Sequence, residues 1–389
     1  MKKLLNKNVV TFKTSGIRFF NTMALKYDDA IRFTIGEPDF DSDENVKNAL
    51  IESVNENNTH YTHNMGLIEL RKAISDYAYN YYHKRFDSEH ILVTLGASEA
   101  LALIFKTILN IDDEVIVFEP SYPAYKPLIL MENCKYVAYD LKESNFQVDE
   151  ELLNKLITPK TKAIIINSPN NPSGVIFNEK SLENIYKCVK DKDIFVINDD
   201  IYTELVYTKC PSMVQFEDIS DQLIFIQSFS KSFAMSGYRL GFLIAHKDIV
   251  DYATITHAYT LSCLPAFIQK AGIKALTSDN SAMIDAYKKR RKIMTDFFDS
   301  QNIPYISPDG AFYLFVNIEQ FKMNSYDFAY DLLEKSHVCV IPGRYFGNNY
   351  DNYVRMSYSL SDEKIIEGLE RISNYIKTRK NYNDMIPLK

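Results

Sequence analysis

Between about residue 90 and residue 245, short apolar runs rich in Val, Ile and Phe alternate with longer stretches of helical periodicity, the pattern of strands and crossover helices in a parallel sheet. Seven runs qualify: residues 91–94, 114–118, 135–139, 163–167, 194–198, 223–227 and 240–245. They predict a large α/β domain built on a mostly parallel seven-stranded sheet. After about residue 286 a basic helical stretch leads to apolar runs at 310–316, 338–341 and 354–357, which read as a smaller α+β domain. The first forty residues are too short to fold alone and are expected to pack on that smaller domain. The expected division is therefore a segment 1–40 on the small domain, a large domain 41–285 and a small domain 286–389.

A chain of 389 residues exceeds the size at which one hydrophobic core stops growing, which agrees with two domains. Twenty-seven Tyr and 24 Phe, with no Trp, supply many flat rings, most of them for the core and some suited to a planar ligand. The net charge of −7 comes without a sustained basic block, so nucleic acid is not an expected partner. The one basic run, Lys288, Lys289, Arg290, Arg291 and Lys292, reads as a solvated helix face. Five cysteines, Cys134, Cys188, Cys210, Cys263 and Cys339, are odd in number and never spaced Cys-x-x-Cys, which argues against a disulfide framework and against a zinc site. No metal is expected, and the expected compartment is the cytoplasm. No window approaches the ~18 apolar residues that a membrane span needs.

In open α/β sheets ligands gather at the carboxyl ends of the strands. Gly96, Tyr122, Asn171, Asp199 and Lys231 each fall just after one of the predicted strands. Lys231 sits among small hydroxyl residues in Ser228-Phe229-Ser230-Lys231-Ser232, with Arg239 eight positions later in Tyr238-Arg239-Leu240-Gly241. A lysine so placed can form a Schiff base with an aldehyde cofactor, while hydroxyls and a guanidinium fork hold a phosphate dianion. Taken alone, the Ser-rich stretch reads rather as a loop with a solvated lysine. Small residues at Gly96-Ala97-Ser98 open a helix whose first N–H groups would face an anion, although Ser is also common there as a cap. Asp199-Asp200-Ile201-Tyr202 is either a turn or a carboxylate held at a strand end. Ser168-Pro169-Asn170-Asn171-Pro172-Ser173-Gly174 marks a tight non-helical loop, and Glu119-Pro120-Ser121-Tyr122-Pro123 offers a ring for stacking or for packing. Arg355 interrupts an apolar strand pattern, which calls for a buried partner or a ligand.

These motifs run in one order from Gly36 to Arg355, and together they resemble the class I aminotransferases of fold type I that depend on pyridoxal phosphate, most of all the bacterial aminotransferase A group linked to N-acetyl-LL-diaminopimelate and lysine biosynthesis. The resemblance implies that Lys231 carries the cofactor and moves protons. It also implies that Asp199 keeps the pyridine nitrogen protonated, and that Tyr202 and Asn171 contact the ring oxygen. Tyr122 would stack on the ring, and Ala97, Ser98, Ser228, Ser230 and Arg239 would hold the phosphate. Gly36, Asn171 and Arg355 would receive the substrate carboxylate. Tyr61 would reach the phosphate in a neighbouring subunit, which makes a homodimer the expected assembly. Lys106, on the helix opened by Gly96, matches a position able to meet a distal carboxylate, a role that competes with that of a snorkelling surface lysine. The expected reaction moves an amino group between an L-amino acid and a 2-oxo acid, 2-oxoglutarate among them. Aspartate or aromatic amino-acid transamination, and a carbon–sulfur β-lyase using the same cofactor, stay open as alternatives. A cofactor-sensing transcription regulator would need a DNA-binding domain and a basic patch that this chain does not show. Two departures from the family pattern are Asn110-Ile111-Asp112-Asp113-Glu114 in place of the usual Asp-Pro-Gly turn, and Asp200 in place of a glutamate.

Overall fold

The computed structural model describes residues 2–12 and 15–385. All seven predicted strands enter one sheet in the order Ile91–Thr94, Gly241–Ile244, Leu223–Ser228, Phe195–Asp199, Thr161–Ile166, Glu114–Glu119 and Lys135–Asp140. Pairing is parallel from Leu223–Ser228 through to the Lys135–Asp140 edge. The Gly241–Ile244 strand is antiparallel to both of its neighbours.

The strands read as continuous apolar runs because both faces of the sheet are covered. Successive side chains point to opposite faces, so each run divides between two cores. Leu92, Val115, Val117, Ile165, Ile197, Ile224 and Leu243 pack under the helices Gly96–Ile108 and Lys247–Thr260. Their alternates Val93, Ile116, Phe118, Ile164, Val196, Phe225 and Phe242 belong to the other core, which runs on into the small domain.

The small domain holds an antiparallel sheet ordered Ile341–Pro342, Tyr353–Ser357, Tyr313–Asn317 and Tyr305–Ile306. The apolar run 338–341 is divided: Val338–Cys339 pairs in parallel with Ile31–Arg32, and Ile341–Pro342 pairs with Tyr353–Ser357. The first half of the run thus ties down the N-terminal segment. The helix Gly16–Ala24 in that segment buries Phe20 edge-on against Tyr326 and Tyr345. Gly16 is required there, because a Cβ would lie 2.3 Å from the Tyr345 ring.

The boundary expected at 285/286 falls inside the continuous helix Ser281–Ser300, which carries the basic run. That run is not wholly the solvated face it was expected to be. Arg290 is 7% exposed and binds both Asp39 and Asp362, joining the N-terminal segment to the last helix. An i, i+3, i+4 repeat keeps one helix face turned inward, and Arg290 lies on that face with Met283, Tyr287 and Met294. Among the described residues no helix is long and apolar enough to cross a membrane.

Candidate active site

A cavity of about 730 Å³ lies where the carboxyl ends of the parallel strands meet the small sheet and the N-terminal segment. Gly36, Ala97, Ser98, Tyr122, Asn171, Asp199, Tyr202, Ser228, Ser230, Lys231, Arg239 and Arg355 all line it. Ser15, Ile17 and Arg18 of the N-terminal segment reach the same wall.

The wall from the large sheet is built by turns that follow strands. Ser228 ends one strand and caps the short helix Phe229–Ser232, accepting from the Ser230 N–H at 3.1 Å while its hydroxyl lies 2.9 Å from that of Ser230. This turn presents Lys231, whose ammonium donates to the Gly36 carbonyl. Burial, with Arg239 and Arg355 nearby, pulls Lys231 down to about 8, against the pull of Glu37 and Asp199. A lysine so shifted is neutral to about one part in ten at pH 7, against less than about one part in a thousand for an ordinary lysine. Asp199, 2% exposed, is pushed up to about 6 by burial, a rise opposed by the hydrogen bond from the Tyr125 hydroxyl. The same aspartate's main-chain carbonyl accepts from Asn167, whose other side-chain atom receives the Asn171 N–H at 2.9 Å. Asn167 therefore fixes the Asn171 loop against the end of the adjacent strand.

The Gly96–Ile108 helix begins with no side-chain cap, so its first N–H groups stay available to an anion. Gly96 has φ +74°, and a Cβ there would lie 2.8 Å from Nη2 of Arg239. Only glycine lets this guanidinium close over the helix start.

The opposite wall carries Arg355, 1% exposed on the Tyr353–Ser357 strand. Its Nη1 donates to Asn171 Oδ1 at 3.1 Å and its Nη2 to the Thr34 carbonyl at 2.9 Å. The guanidinium lies between two rings, with its carbon 4.6 Å from the centre of Tyr313 and 5.2 Å from that of Phe346. No carboxylate neutralises it among the described residues, and burial lowers its pKa.

Two expected residues lie elsewhere. Lys106 does not line the cavity; it is half-exposed and paired with Glu132 at 2.8 Å. Ten residues beyond Gly96, it is carried about 15 Å along the helix axis, away from the end that faces the cavity. Tyr61 is 90% exposed and outside the cavity of its own chain.

Over residues 28–372 the chain matches the family described as aminotransferase class I and II. It belongs to that family. The protein is an aminotransferase, and the fold type I architecture expected of it is the one observed. It is 37% identical to a probable N-acetyl-LL-diaminopimelate aminotransferase of Bacillus subtilis, over 98% of each chain. It is also 37% identical to an aspartate aminotransferase of Pyrococcus horikoshii, over 97% of this chain and 99% of that one. Among solved structures, an aspartate aminotransferase from Thermotoga maritima superposes with a TM-score of 0.91 at 31% identity, covering 96% of this chain and all of the other.

Members of this family generally depend on pyridoxal phosphate, and the aminotransferase cavity fits that group. Asp199 Oδ1 and Arg355 Nε are both buried without a hydrogen-bond partner among the described residues. An unpaired buried carboxylate oxygen suits a ring N–H donor, and an unpaired guanidinium edge suits a carboxylate. The uncapped helix start beneath Arg239 suits a phosphate. Three residues of this aminotransferase site escaped the sequence: Tyr125, which donates to Asp199; Asn167, which braces Asn171; and Tyr313, whose hydroxyl lies 2.8 Å from that of Tyr202. A second tyrosine three positions after Tyr122 was a visible signal for the first. Nothing in the local sequence pointed to the other two.

Proposed function

We propose that this cavity holds pyridoxal phosphate and that the protein moves an amino group between an L-amino acid and a 2-oxo acid, with glutamate and 2-oxoglutarate as one pair. The buried, unpartnered Oδ1 of Asp199 carries the reading: a charged carboxylate in such a place needs a cationic donor. When bound, the cofactor supplies the electron sink that makes the substrate α-proton acidic. Lys231, pulled down to about 8 by burial, would take that proton in its neutral form and return it to a neighbouring carbon. Asp199 keeps a positive charge on the ring nitrogen. Tyr202 and the Asn171 amide donate to the ring oxygen, and Tyr122 lies against the ring face. Ala97, Ser98, Ser228, Ser230 and Arg239 grip the phosphate. Arg355, already oriented by Asn171 and Thr34, receives the α-carboxylate through its free Nε edge, with Gly36 beside it.

As amino donor we propose N-acetyl-LL-diaminopimelate, the substrate named for the Bacillus relative, which would place the reaction in lysine biosynthesis; aspartate, named for the Pyrococcus relative, is the alternative. Lys106 is given no part in donor recognition, because its charge is spent on Glu132. A homodimer is supported by large exposed aromatic side chains: Tyr61 and Tyr259 are each 90% exposed and Tyr252 is 66% exposed. In that assembly Tyr61 reaches the partner's phosphate.

The test is an absorbance spectrum of the purified protein with pyridoxal phosphate, before and after L-glutamate, beside Lys231→Ala. The expected result is a visible band that glutamate abolishes in the wild type and that the variant never forms. Absence of any band in the wild type would overturn the reading. A band that ignores every amino donor, with pyruvate and ammonia released from a β-substituted amino acid, would make the protein a lyase.

A further inference from the structure

Tyr313 has no part in the proposed reaction, yet it touches the working groups of both walls. It is 1% exposed on the Tyr313–Asn317 strand, and its place in the ladder opposite Ser357 holds its backbone rigidly. Arg355 lies opposite Phe315 in the same ladder, so Tyr313 is its diagonal neighbour on one face of the sheet. This register lays the Tyr313 ring 4.6 Å from the guanidinium carbon. The hydroxyl end crosses to the large domain, where it meets the Tyr202 hydroxyl at 2.8 Å. It also lies close to Gly36, at which a Cβ would be 3.3 Å from the Tyr313 oxygen.

Building on the cofactor reading above, we infer that Tyr313 is a positioning residue that holds the Tyr202 hydroxyl with its proton directed to the cofactor's ring oxygen and, through the other end of the same ring, holds the Arg355 guanidinium flat for the substrate carboxylate. Either phenol could donate in the Tyr202–Tyr313 pair. A cation against a phenol ring draws electron density from it and strengthens its O–H as a donor. With Arg355 on its face, Tyr313 is therefore the donor, and Tyr202 accepts while keeping its own proton for the ligand. Reversing that bond would commit the Tyr202 proton to Tyr313 instead. Phe346 closes the far side of the guanidinium at 5.2 Å, so the plane of Arg355 is set by two rings and its in-plane rotation by Asn171 and Thr34.

Two variants separate the two ends of the ring. Tyr313→Phe keeps the contact with Arg355 and removes only the hydroxyl. Its bound pyridoxal phosphate should show the pH midpoint of the visible band raised by about half to one unit, because a weakened donor at Tyr202 stabilises the ring-oxygen anion less. The same substitution made in a Tyr202→Phe background should add no further shift. Tyr313→Leu removes the ring and should weaken binding of maleate, a dicarboxylate probe, about 3–30-fold, while Tyr313→Phe stays within about twofold of the wild type. If Tyr313→Leu does not fold, the midpoint measurement on Tyr313→Phe decides alone. A Tyr313→Phe midpoint equal to that of the wild type, or a shift of full size without Tyr202, overturns the inference and leaves the cofactor reading intact. A wild type with no visible band overturns both.

Discussion

The two walls of the cavity are made in different ways. On the large-domain side, Arg239 reaches over Gly96 from just before a strand, but Gly96 to Ser98, Tyr122, Asn171, Asp199 and Ser228 to Lys231 stand at the end of a strand or in the turn after it. Each is placed by a few neighbouring residues, and the parallel sheet sets the turns side by side. On the other side, Arg355, Tyr313, Thr34 and Gly36 come from two antiparallel strands and from the N-terminal segment. There, no functional residue is oriented by its own turn; each is held by side chains or carbonyls far away in sequence. A wall made of local motifs can be changed one turn at a time, whereas a wall made of long-range contacts works or fails as a unit.

The comparison can be broken most forcefully at Lys231. Lys231→Ala should lower turnover by about 10²–10⁴-fold or more, the range of a general acid–base group, with substrate-side binding of maleate affected far less. Arg355→Ala should lower kcat/KM by about 10²–10³-fold, as removal of one member of a buried charged contact does, while cofactor affinity stays within about threefold. Loss of cofactor binding in that variant would show that the walls are not separable. Next in size is a pH effect on the large-domain wall. With Lys231 near 8 rather than the ordinary 10.5, its neutral fraction rises about tenfold between pH 7 and pH 9, and the initial rate of cofactor capture by the cofactor-free protein should rise with it. The sign for stability is the same: the folded state binds fewer protons than the unfolded chain from about 8 to 10.5, so this group's penalty is full below pH 8 and fades as pH climbs through that window. Gly96→Ala, strained by the positive φ and by Arg239, should weaken cofactor binding by about tenfold, read by titration of the visible band. The smallest effect belongs to Lys106→Ala, which should leave KM for acidic substrates within about twofold, since an exposed pair contributes at most about 1 kcal/mol to anything. A tenfold rise would restore the distal-carboxylate role to that lysine.

Asp199 and Asp200 repeat the contrast at the scale of two residues. Asp199 lines the cavity with a free oxygen, while Asp200 turns inward, accepts from Tyr82 at 2.6 Å and is pushed up to about 7 by burial. The departure from the family's glutamate therefore sits behind the site, in the core under Tyr82 and Gln227, where a side chain one methylene shorter packs away from the ligand.

Much of the large domain was legible because its information is short in range. An apolar run of five residues, a Gly-Ala-Ser helix start and a Ser-x-Ser-Lys turn each state their own conformation, and seven such runs can pair in few ways without crossing. Strand ends moved by only one or two residues, as from 163–167 to Thr161–Ile166. Lys106 failed for an equally physical reason: sharing a helix with Gly96 does not mean sharing its end. Nothing local in run 338–341 says that two neighbouring dipeptides will pair with different sheets.

The sequence by itself determined the strand set, the carboxyl-end turns and the small, hydroxyl and basic residue types that line the cavity there, since these follow from side-chain period, backbone freedom and local hydrogen bonding. Only the tertiary structure decided that Tyr125 would hold Asp199, that Tyr313 would bridge Arg355 and Tyr202, and that Arg290 would be buried between Asp39 and Asp362. Those contacts join residues 74, 111 and 251 positions apart. Which polar groups meet over such separations is set by how distant elements pack, and that depends on the summed burial of many side chains rather than on any one stretch of chain.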